Sequence, residues 1–163
     1  MSAAAGLCAD CGLCCNGALF DRVNLQREDR AKALAALGLR IKRGSFFNQP
    51  CSALCGTRCT IYAERPARCR IFECRQYRGV AAGTITADTA SARILETKRQ
   101  IAAVEALLDA LGGDNRRKPI AQRCATVLAE SSGPDPAVVA RRAELSSAME
   151  KLQALLTTHF RLT

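Results

Sequence analysis

The sequence predicts a mainly α-helical fold, in which a small, irregular, cysteine-rich module precedes an antiparallel helical hairpin. Apolar residues make up 48% of the 163 residues but aromatic residues only 4%, so we expect a core of Ala, Leu, Val and Ile, which favours helices over a β-sandwich or barrel. Nine of the ten cysteines lie between Cys8 and Cys74, whereas helical periodicity dominates the second half. We therefore expect a cysteine-cluster domain over residues 1–80 and a helical hairpin tail over residues 81–163.

The composition also restricts the class of protein and its compartment. Charged residues are 24% of the chain, which is typical of soluble globular proteins. No apolar run approaches the roughly 20 residues of a membrane-spanning helix, and residues Met1–Leu7 lack the charged and apolar stretches of a secretory signal. We expect a cytoplasmic protein with no membrane partner. In that reducing compartment, clustered cysteines more often bind metal or do redox work than form structural disulfides.

The basic character of the chain has two explanations. The net charge is +9, and residues 1–80 hold 13 Lys/Arg against 6 Asp/Glu, a net charge of +7. Such an excess is typical of nucleic-acid-binding proteins, so a basic adaptor that binds nucleic acid or a protein partner is one alternative. Metal-bound thiolates would cancel much of this charge, and the region has few aromatic residues and no nucleic-acid-binding motif. We therefore favour compensation of thiolate charge over nucleic-acid binding.

The first half is expected to contain short elements between loops. Residues Cys8–Gly17 are predicted to form a ligand loop, with turns at its glycines. A short strand is expected within Leu19–Leu25 and a helix over Gln26–Leu37, which Gly38 would end. Residues Ser45–Pro50 are predicted to form a loop that leads to the second group of cysteines in the sequence.

The sequence predicts a short helix before residue 80 and a long helix after it. Pro66 suits the first turn of a short helix that would carry Cys69. Gly83 and the small residues around it predict a linker over residues 81–87. After it, Asp88 is predicted to cap a long helix that runs to about Leu111.

Two further helices complete the predicted tail. Pro119 is expected to start a short helix that carries Cys124 on its apolar side, and the last helix spans Ala137 to about Phe160. The long helices carry apolar stripes that predict an antiparallel hairpin, with self-association or docking of a protein partner as the alternative. The stripes consist of Ile94, Ile101, Val104, Leu108 and Leu111 on one helix and Val138, Leu145, Met149, Leu152, Leu155 and Leu156 on the other.

The most specific signal is the pattern C-x2-C-x2-C-C formed by Cys8, Cys11, Cys14 and Cys15. Each two-residue gap lets a tight turn return the sulfur to the same point, so three such cysteines can hold one metal or cluster. Successive side chains diverge, so we expect Cys14 and Cys15 to serve different metals, unless one of them stays a free thiol.

A second block supplies up to five more sulfurs, from Cys51, Cys55, Cys59, Cys69 and Cys74. Eight of these nine cysteines would complete two four-sulfur sites or one multinuclear cluster. Thiolates satisfy both iron and zinc, so ligand type alone does not separate the two metals. We place an iron–sulfur cluster or iron first and zinc as the alternative; iron would add redox chemistry, whereas zinc would fix the loops.

These residues resemble the YkgJ-type cysteine-cluster family, named after its CxxCxxCC motif and described as zinc- or iron-chelating domains. The resemblance covers residues 8 to about 78, and it rests on Cys8-x2-Cys11-Gly-Leu-Cys14-Cys15, on Gln49-Pro-Cys51 and on Cys59-Thr-Ile-Tyr62-x2-Arg65-Pro66-x2-Cys69-Arg70-x3-Cys74. It implies eight metal ligands: Cys8, Cys11, Cys14, Cys15, Cys51, Cys59, Cys69 and Cys74. Cys55 and Cys124 lie outside the family pattern.

Side chains in the core of this resemblance are candidates for binding the cofactor. Tyr62 could donate a hydrogen bond to a cluster or a substrate, and Arg65 and Arg70 could bind an anion. Packing of the tyrosine and compensation of thiolate charge by the arginines are the simpler explanations. His159, the one histidine, has no accompanying catalytic motif.

The function predicted from the sequence is metal binding by a cysteine cluster, and whether the protein is an enzyme stays open. One relative in the resembled family is described as a flagellin lysine N-methylase, which makes an iron-dependent or iron–sulfur enzyme that modifies a protein or peptide the first alternative. The basic adaptor is the second. An open coordination position would favour an enzyme, and two closed four-thiolate sites would favour a structural or electron-transfer module.

Overall fold

The computed structural model describes residues 3–130, 133 and 135–162. The described residues form a mainly α-helical protein, as predicted. The helices are α1 (Ala3–Cys11), α2 (Ala31–Ala36), α3 (Ala67–Ile71), α4 (Arg75–Ala81), α5 (Ala87–Ala110), α6 (Ile120–Ala129) and α7 (Pro136–His159). The strands are β1 (Arg22–Asn24), β2 (Ile41–Lys42), β3 (Phe46–Asn48), β4 (Leu54–Cys55) and β5 (Arg58–Cys59).

The long helices α5 and α7 pack against each other in antiparallel orientation. Glu96 of α5 shares a groove with Thr158 near the end of α7, and Gln100, one turn later, donates a hydrogen bond of 2.9 Å to the Ala148 carbonyl. The predicted helical hairpin is therefore confirmed. It forms most of a large core, whose buried members are Leu7, Leu13, Ala18, Leu19, Ala90, Ile94, Val104, Leu108, Ile120, Cys124, Val127, Leu145, Leu152, Leu156 and Phe160.

The large core includes residues on both sides of the predicted domain boundary. Leu13 and Leu19 come from the cysteine-rich segment, yet they are buried with Leu108 and Leu152 of the hairpin. The hydrogen bond from the Ile120 N–H to the Gly17 carbonyl joins the two segments at 3.3 Å. The boundary near residue 80 stays a prediction. Within the described residues, no helix combines the length and apolar character needed to cross a bilayer.

The turn between α5 and α6 is tied together by a buried arginine. Arg123 is 3% exposed, donates through Nε to the Gly113 carbonyl at 2.8 Å, and pairs with Glu105 at 2.6 Å. A Cβ at Gly113 would come within 2.7 Å of Val127, so the turn packs tightly against α6. Cys124 is buried, which confirms its predicted place in the core.

The predicted ligand loop over Cys8–Gly17 is wrong in its first part, because Cys8 to Cys11 belong to helix α1. Distant groups cap the carbonyls at the end of this helix: the Thr57 hydroxyl donates to the Ala9 carbonyl at 2.8 Å, and the Lys98 ammonium donates to the Asp10 carbonyl. The loop begins at Gly12, whose φ of +73° turns the chain out of the helix.

Several other predicted boundaries shift for local reasons. The helix expected from Gln26 begins at Ala31, because the Asp29 carboxylate accepts the Gln26 N–H at 2.7 Å and holds a turn there. Thr86, rather than Asp88, caps α5, and its hydroxyl accepts the Thr89 N–H at 3.1 Å. Gly38 ends α2, as predicted, with a φ of +95°.

A second, small core lies under the short strands and consists of Leu34, Leu39, Phe47, Ala53 and Ile61. Strand β3 pairs with both β1 and β2, so Phe47 lies opposite Val23 and Ile41. The loop predicted for residues 45–50 is therefore wrong at Phe46–Asn48. Strand β1 lies within the segment where a strand was predicted.

Candidate metal centre

The first cysteine group consists of Cys8, Cys11, Cys14 and Cys74. Cys8 and Cys11 are on helix α1, Cys14 is in the loop after it, and Cys74 precedes helix α4, which packs against α1. The Cys14 thiol interacts electrostatically with the thiol of Cys11, then with that of its neighbour Cys15, and less strongly with those of Cys74 and Cys8. Cys11, Cys14 and Cys74 also pack against the large core.

A backbone amide donates to a sulfur atom of the first group. The Tyr77 N–H donates to the Cys74 sulfur at 3.5 Å, which caps α4, and the Leu13 backbone acts against the rise in the Cys11 pKa. Such N–H···S hydrogen bonds stabilise a thiolate more than a thiol, because the acceptor then carries a full negative charge.

The second cysteine group consists of Cys15, Cys51, Cys59 and Cys69. The Cys15 thiol interacts with the thiols of Cys51, Cys69 and Cys59 more strongly than with that of Cys11. Cys51, Cys59 and Cys69 pack against the small core. Packing therefore divides six of the cysteines into two sets of three. The interaction of Cys8 with Cys74 places Cys8 in the first set, and the interactions of Cys15 place it in the second.

Three elements bring the second group together. The Cys51 N–H donates to the Cys15 carbonyl at 2.8 Å, β5 carries Cys59, and α3 carries Cys69. The Leu54 N–H donates to the Cys51 carbonyl at 3.1 Å, and the backbone groups of Ala53 and Leu54 act against the rise in the Cys51 pKa. The short helix that Pro66 was expected to start is confirmed as α3, with Pro66 in the N-cap position.

The adjacent cysteines Cys14 and Cys15 lie in different groups. The chain turns just before them, where the Cys15 N–H donates to the Gly12 carbonyl at 3.0 Å. A side chain at Gly12 would meet the backbone of Thr57 at 3.2 Å, so this turn lies directly against the β4–β5 hairpin. The two thiols still interact with each other, which means that the two groups are neighbours.

Burial and mutual repulsion raise the pKa of the thiols in both groups. Burial raises the pKa of Cys11 to about 11 and those of Cys15 and Cys69 to about 12, with neighbouring thiols adding to each rise. The pKa of Cys14 lies well above its usual range for the same reasons. These thiols are therefore protonated at neutral pH in the absence of a cation, and a bound cation would favour the thiolate forms.

The charge of Arg65 acts on thiols of both groups. Its charge acts against the pKa rise of Cys8, in the first group, and of Cys69, in the second. The guanidinium lies over the Tyr62 ring, 3.7 Å from the ring centroid, and its buried Nε has no hydrogen-bond partner among the described residues. Two of the predicted cofactor-binding residues thus form one stacked pair beside the cysteines.

The other candidate residues lie apart from the two groups. Arg70 is exposed on α3, Cys55 is exposed on β4, and Cys124 is buried in α6. His159 is half-buried at the end of α7, where burial and the charges of Arg93 and Arg75 lower its pKa.

The thiols are neighbours, but they are not arranged as closed ligand sets. Within residues 3–130, 133 and 135–162, no three Cys, His, Asp or Glu side chains are placed to hold one metal ion together. The predicted ligand roles of the eight cysteines therefore stay predictions.

One carboxylate that supports the second group was not predicted. Asp29 accepts the Ala67 N–H at 2.8 Å and so caps helix α3, two residues before Cys69. It also contributes to the raised pKa of Cys69. Asp29 and Ala67 are 38 positions apart in the sequence, so no local motif could have indicated the contact.

The fold and the two thiol groups define a small helical cysteine-cluster protein whose donor set suits a thiophilic metal. The protein-family model CxxCxxCC, "Putative zinc- or iron-chelating domain", matches residues 7–106, which is more than half of the chain. The chain belongs to this family, as its motifs predicted. The match extends past the cysteines into α5. No curated protein and no solved structure matches the chain.

Proposed function

We propose that the chain binds metal at two four-thiolate sites, one in each cysteine group. The observation that carries the proposal is the division of eight cysteines into two sets of four: packing separates six of them, and thiol–thiol interactions assign Cys8 and Cys15. Four thiolates are a common ligand set for zinc and for iron–sulfur clusters. Sulfur donors also discriminate against Mg²⁺ and Ca²⁺, which prefer oxygen.

The surroundings of the thiols support this assignment. The Tyr77 N–H donates to the Cys74 sulfur, backbone groups near Cys51 act against the rise in its pKa, and Arg65 and Lys98 supply positive charge beside the thiols. The metal-free thiols, by contrast, repel one another once ionised. A metal cation would relieve that repulsion and join segments that are far apart in the sequence.

We place iron, in an iron–sulfur cluster or as a mononuclear ion, ahead of zinc. Both metals accept four thiolates, but hydrogen bonds to sulfur and nearby charges are the means by which proteins tune the potential of an iron–sulfur cluster. Such a cluster would supply one-electron chemistry; zinc would supply cross-links between loops.

Four thiolates per site would leave no coordination position for a substrate, so we favour a structural or electron-transfer module over a protein-modifying enzyme. We place the protein in the reducing cytoplasm, where clustered cysteines more often bind metal than form structural disulfides. Arg65, held by Tyr62, would lie beside both metals. Arg70 is proposed as a contact of the cofactor from the family resemblance alone.

A protein partner, or a second copy of the chain, remains part of the proposal. The apolar stripes of α5 and α7 are largely used inside the hairpin, where Val104, Leu145 and Leu152 are fully buried. Apolar side chains that the helices leave exposed, such as Leu95 and Val139, would have to supply such a contact. The proposal commits to metal binding first.

The test is elemental analysis of protein purified without oxygen, with iron, zinc and acid-labile sulfide measured per chain. We expect two occupied sites, whatever the metal. Brown protein with near-equal iron and sulfide would identify clusters, iron without sulfide would identify mononuclear iron, and colourless protein with stoichiometric zinc would identify structural zinc. Protein without stoichiometric metal would refute the proposal.

Cysteine variants test the division into two sites. Cys14→Ala should remove one site, and adding Cys74→Ala, within the same group, should remove nothing further. Adding Cys15→Ala instead should remove the second site as well. Cys55→Ala serves as the control, because this exposed thiol lies outside both groups. If Cys14→Ala and Cys15→Ala together remove no more metal than either alone, the two-site assignment is wrong.

A further inference from the structure

A basic groove lies outside the two cysteine groups, between helix α4, the turn that follows it and the first turns of α5. Its volume is about 380 Å³. Arg75, Arg78 and Arg93 line it together with the Thr84 side chain, and Ile85 lies among its apolar residues. None of the described lining residues is acidic. Three arginine residues therefore line one concave surface.

Two of these arginines are held in place by the neighbouring structure. Arg75 donates through Nη1 to the Thr158 carbonyl at 2.8 Å. Arg93 donates through Nη1 to the side-chain carbonyl of Gln76 at 3.4 Å, and Gln76 is only 1% exposed and donates in turn to the His159 carbonyl. A guanidinium has five N–H donors, so each of these arginines keeps donors for a ligand.

The wall of the groove is a tight turn. The N–H and the hydroxyl of Thr84 both donate to the Gly79 carbonyl, at 2.9 and 3.1 Å. A Cβ at Gly79 would approach the Ile85 side chain to 2.9 Å, so this side chain packs closely against the backbone of residue 79. The concave shape is thus formed without a ligand, which reduces the entropic cost of binding one.

The groove has an excess of positive charge. Arg78 is 3.6 Å from Glu73, an exposed ion pair that neutralises one of the three charges only in part. Arg75 and Arg93 are also the two charged groups that lower the pKa of His159, which reports a positive field at this end of the hairpin. An anion in the groove would relieve that field.

We propose that the groove formed by Arg75, Arg78 and Arg93 binds the phosphate group of a small phosphorylated ligand. Guanidinium groups match the oxygen geometry of phosphate through paired N–H···O hydrogen bonds, and a phosphate dianion carries enough charge to balance the arginines that Glu73 does not pair. This site uses none of the eight proposed metal ligands, so it stands whether or not the metal proposal holds.

His159 supplies a direct readout, because it is the one histidine of the chain and its ring protons give isolated NMR signals. The experiment titrates the full-length protein with inorganic phosphate at constant ionic strength set by chloride, and follows the His159 signals and pKa. Phosphate beside Arg75 and Arg93 should raise the His159 pKa in a saturable way. An unchanged pKa at saturating phosphate would overturn the proposal.

Charge-neutral variants locate the site. Arg93→Gln and Arg78→Gln should each weaken phosphate binding roughly tenfold, as expected for loss of one charge-assisted contact. Arg117→Gln, the same change at an exposed residue beyond the far end of α5, should leave it unaltered. If Arg93→Gln perturbs folding through Gln76, phosphate binding by the Arg78→Gln variant still tests the site, because Arg78 is exposed. Equal weakening by Arg117→Gln would mean non-specific attraction and would refute the site.

A parallel titration with malonate, a dicarboxylate, distinguishes phosphate binding from the binding of any anion. Malonate carries two charges at neutral pH but lacks the tetrahedral arrangement of oxygens. We expect it to bind more weakly than phosphate at equal concentration. Equal binding of malonate and phosphate would refute the phosphate assignment.

Discussion

The two cysteine groups have the same ligand chemistry but very different structural support. The first group packs against the large core, which buries fifteen residues between α1, the following loop and helices α5 to α7. The second group packs against a core of five buried residues under strands of two or three residues. The first group therefore rests on a scaffold that apolar burial can hold together, whereas the second lacks one of comparable size.

The connections of each group differ in the same way. Beside the first group, the Arg75 N–H donates to the Phe160 carbonyl at 3.0 Å, and Lys98 caps α1 from helix α5. Phe160 follows α7 and Lys98 lies in α5, so both residues belong to the helical hairpin region. The second group depends on Asp29, which joins the α2 region to α3, and on the hydrogen bond between Cys51 and Cys15. Metal should thus matter more to the fold around the second group.

Removal of metal should have the largest effect and should separate the two regions. With chelator, under reducing conditions, amides in residues 22–72 should lose most of their protection from hydrogen exchange, while those of α5 and α7 should keep it. The reason is that binding to structural thiolate sites is worth on the order of 10 kcal/mol, which is comparable to the stability of a whole domain. Hydrogen exchange followed by mass spectrometry measures this. Equal loss of protection in both regions would show that metal does not matter more to the fold around the second group.

Truncation of a core leucine should destabilise the hairpin without removing metal. Leu152 is fully buried between α7 and α5, so Leu152→Ala should cost about 3–5 kcal/mol in the free energy of unfolding. Leu128→Ala, at a residue 38% exposed on α6, is the control and should cost under about 1 kcal/mol. Denaturant unfolding of the metal-loaded protein checks both values. Loss of metal from the second group in Leu152→Ala would show that the two regions do not differ as proposed.

Loss of one helix cap should affect the second group alone. Asp29→Ala removes the acceptor for the Ala67 N–H and should cost about 1–2 kcal/mol, the usual effect of an N-cap. We expect a lower metal affinity in the second group, so that its site loses metal at a lower chelator concentration. The metal affinity of the first group should stay unchanged. Asp114→Ala, at an exposed aspartate before α6, provides the matched control. If both sites weaken together, Asp29 supports the whole module rather than one group.

The sequence predicted the features of the fold that depend on residues close together in the chain. Helical periodicity predicted the α5–α7 hairpin, which the structure confirms. That Cys14 and Cys15 serve different metals stays a prediction. The missed features depend on partners distant in the chain. Helix α1 is capped by Thr57 and Lys98, which no pattern near Cys8 reveals. Strand β3 exists because residues 22–24 and 41–42 pair with it on both sides. Short-range propensity has no access to such contacts.

Mild acid should have the smallest effect and should act on the first group's side of the molecule. Burial and the charges of Arg93 and Arg75 lower the His159 pKa below 6.5, while Glu96 and Lys151 face the same groove as the imidazole. The folded protein then binds fewer protons than the unfolded chain, so stability falls as the pH drops below about 6.5 and levels off below the folded pKa.

His159→Gln should remove this pH-dependent component while leaving the remainder of the pH profile in place. Denaturant unfolding of wild type and variant at a series of pH values from about 7 downwards measures the difference. His159 is followed by Phe160, whose carbonyl accepts the Arg75 N–H next to Cys74. The acid-sensitive loosening should therefore appear in the hydrogen exchange of α4 and the end of α7, and not around α3. If hydrogen exchange around α3 also increased in a way that depends on His159, the large and small cores would not be independent of each other.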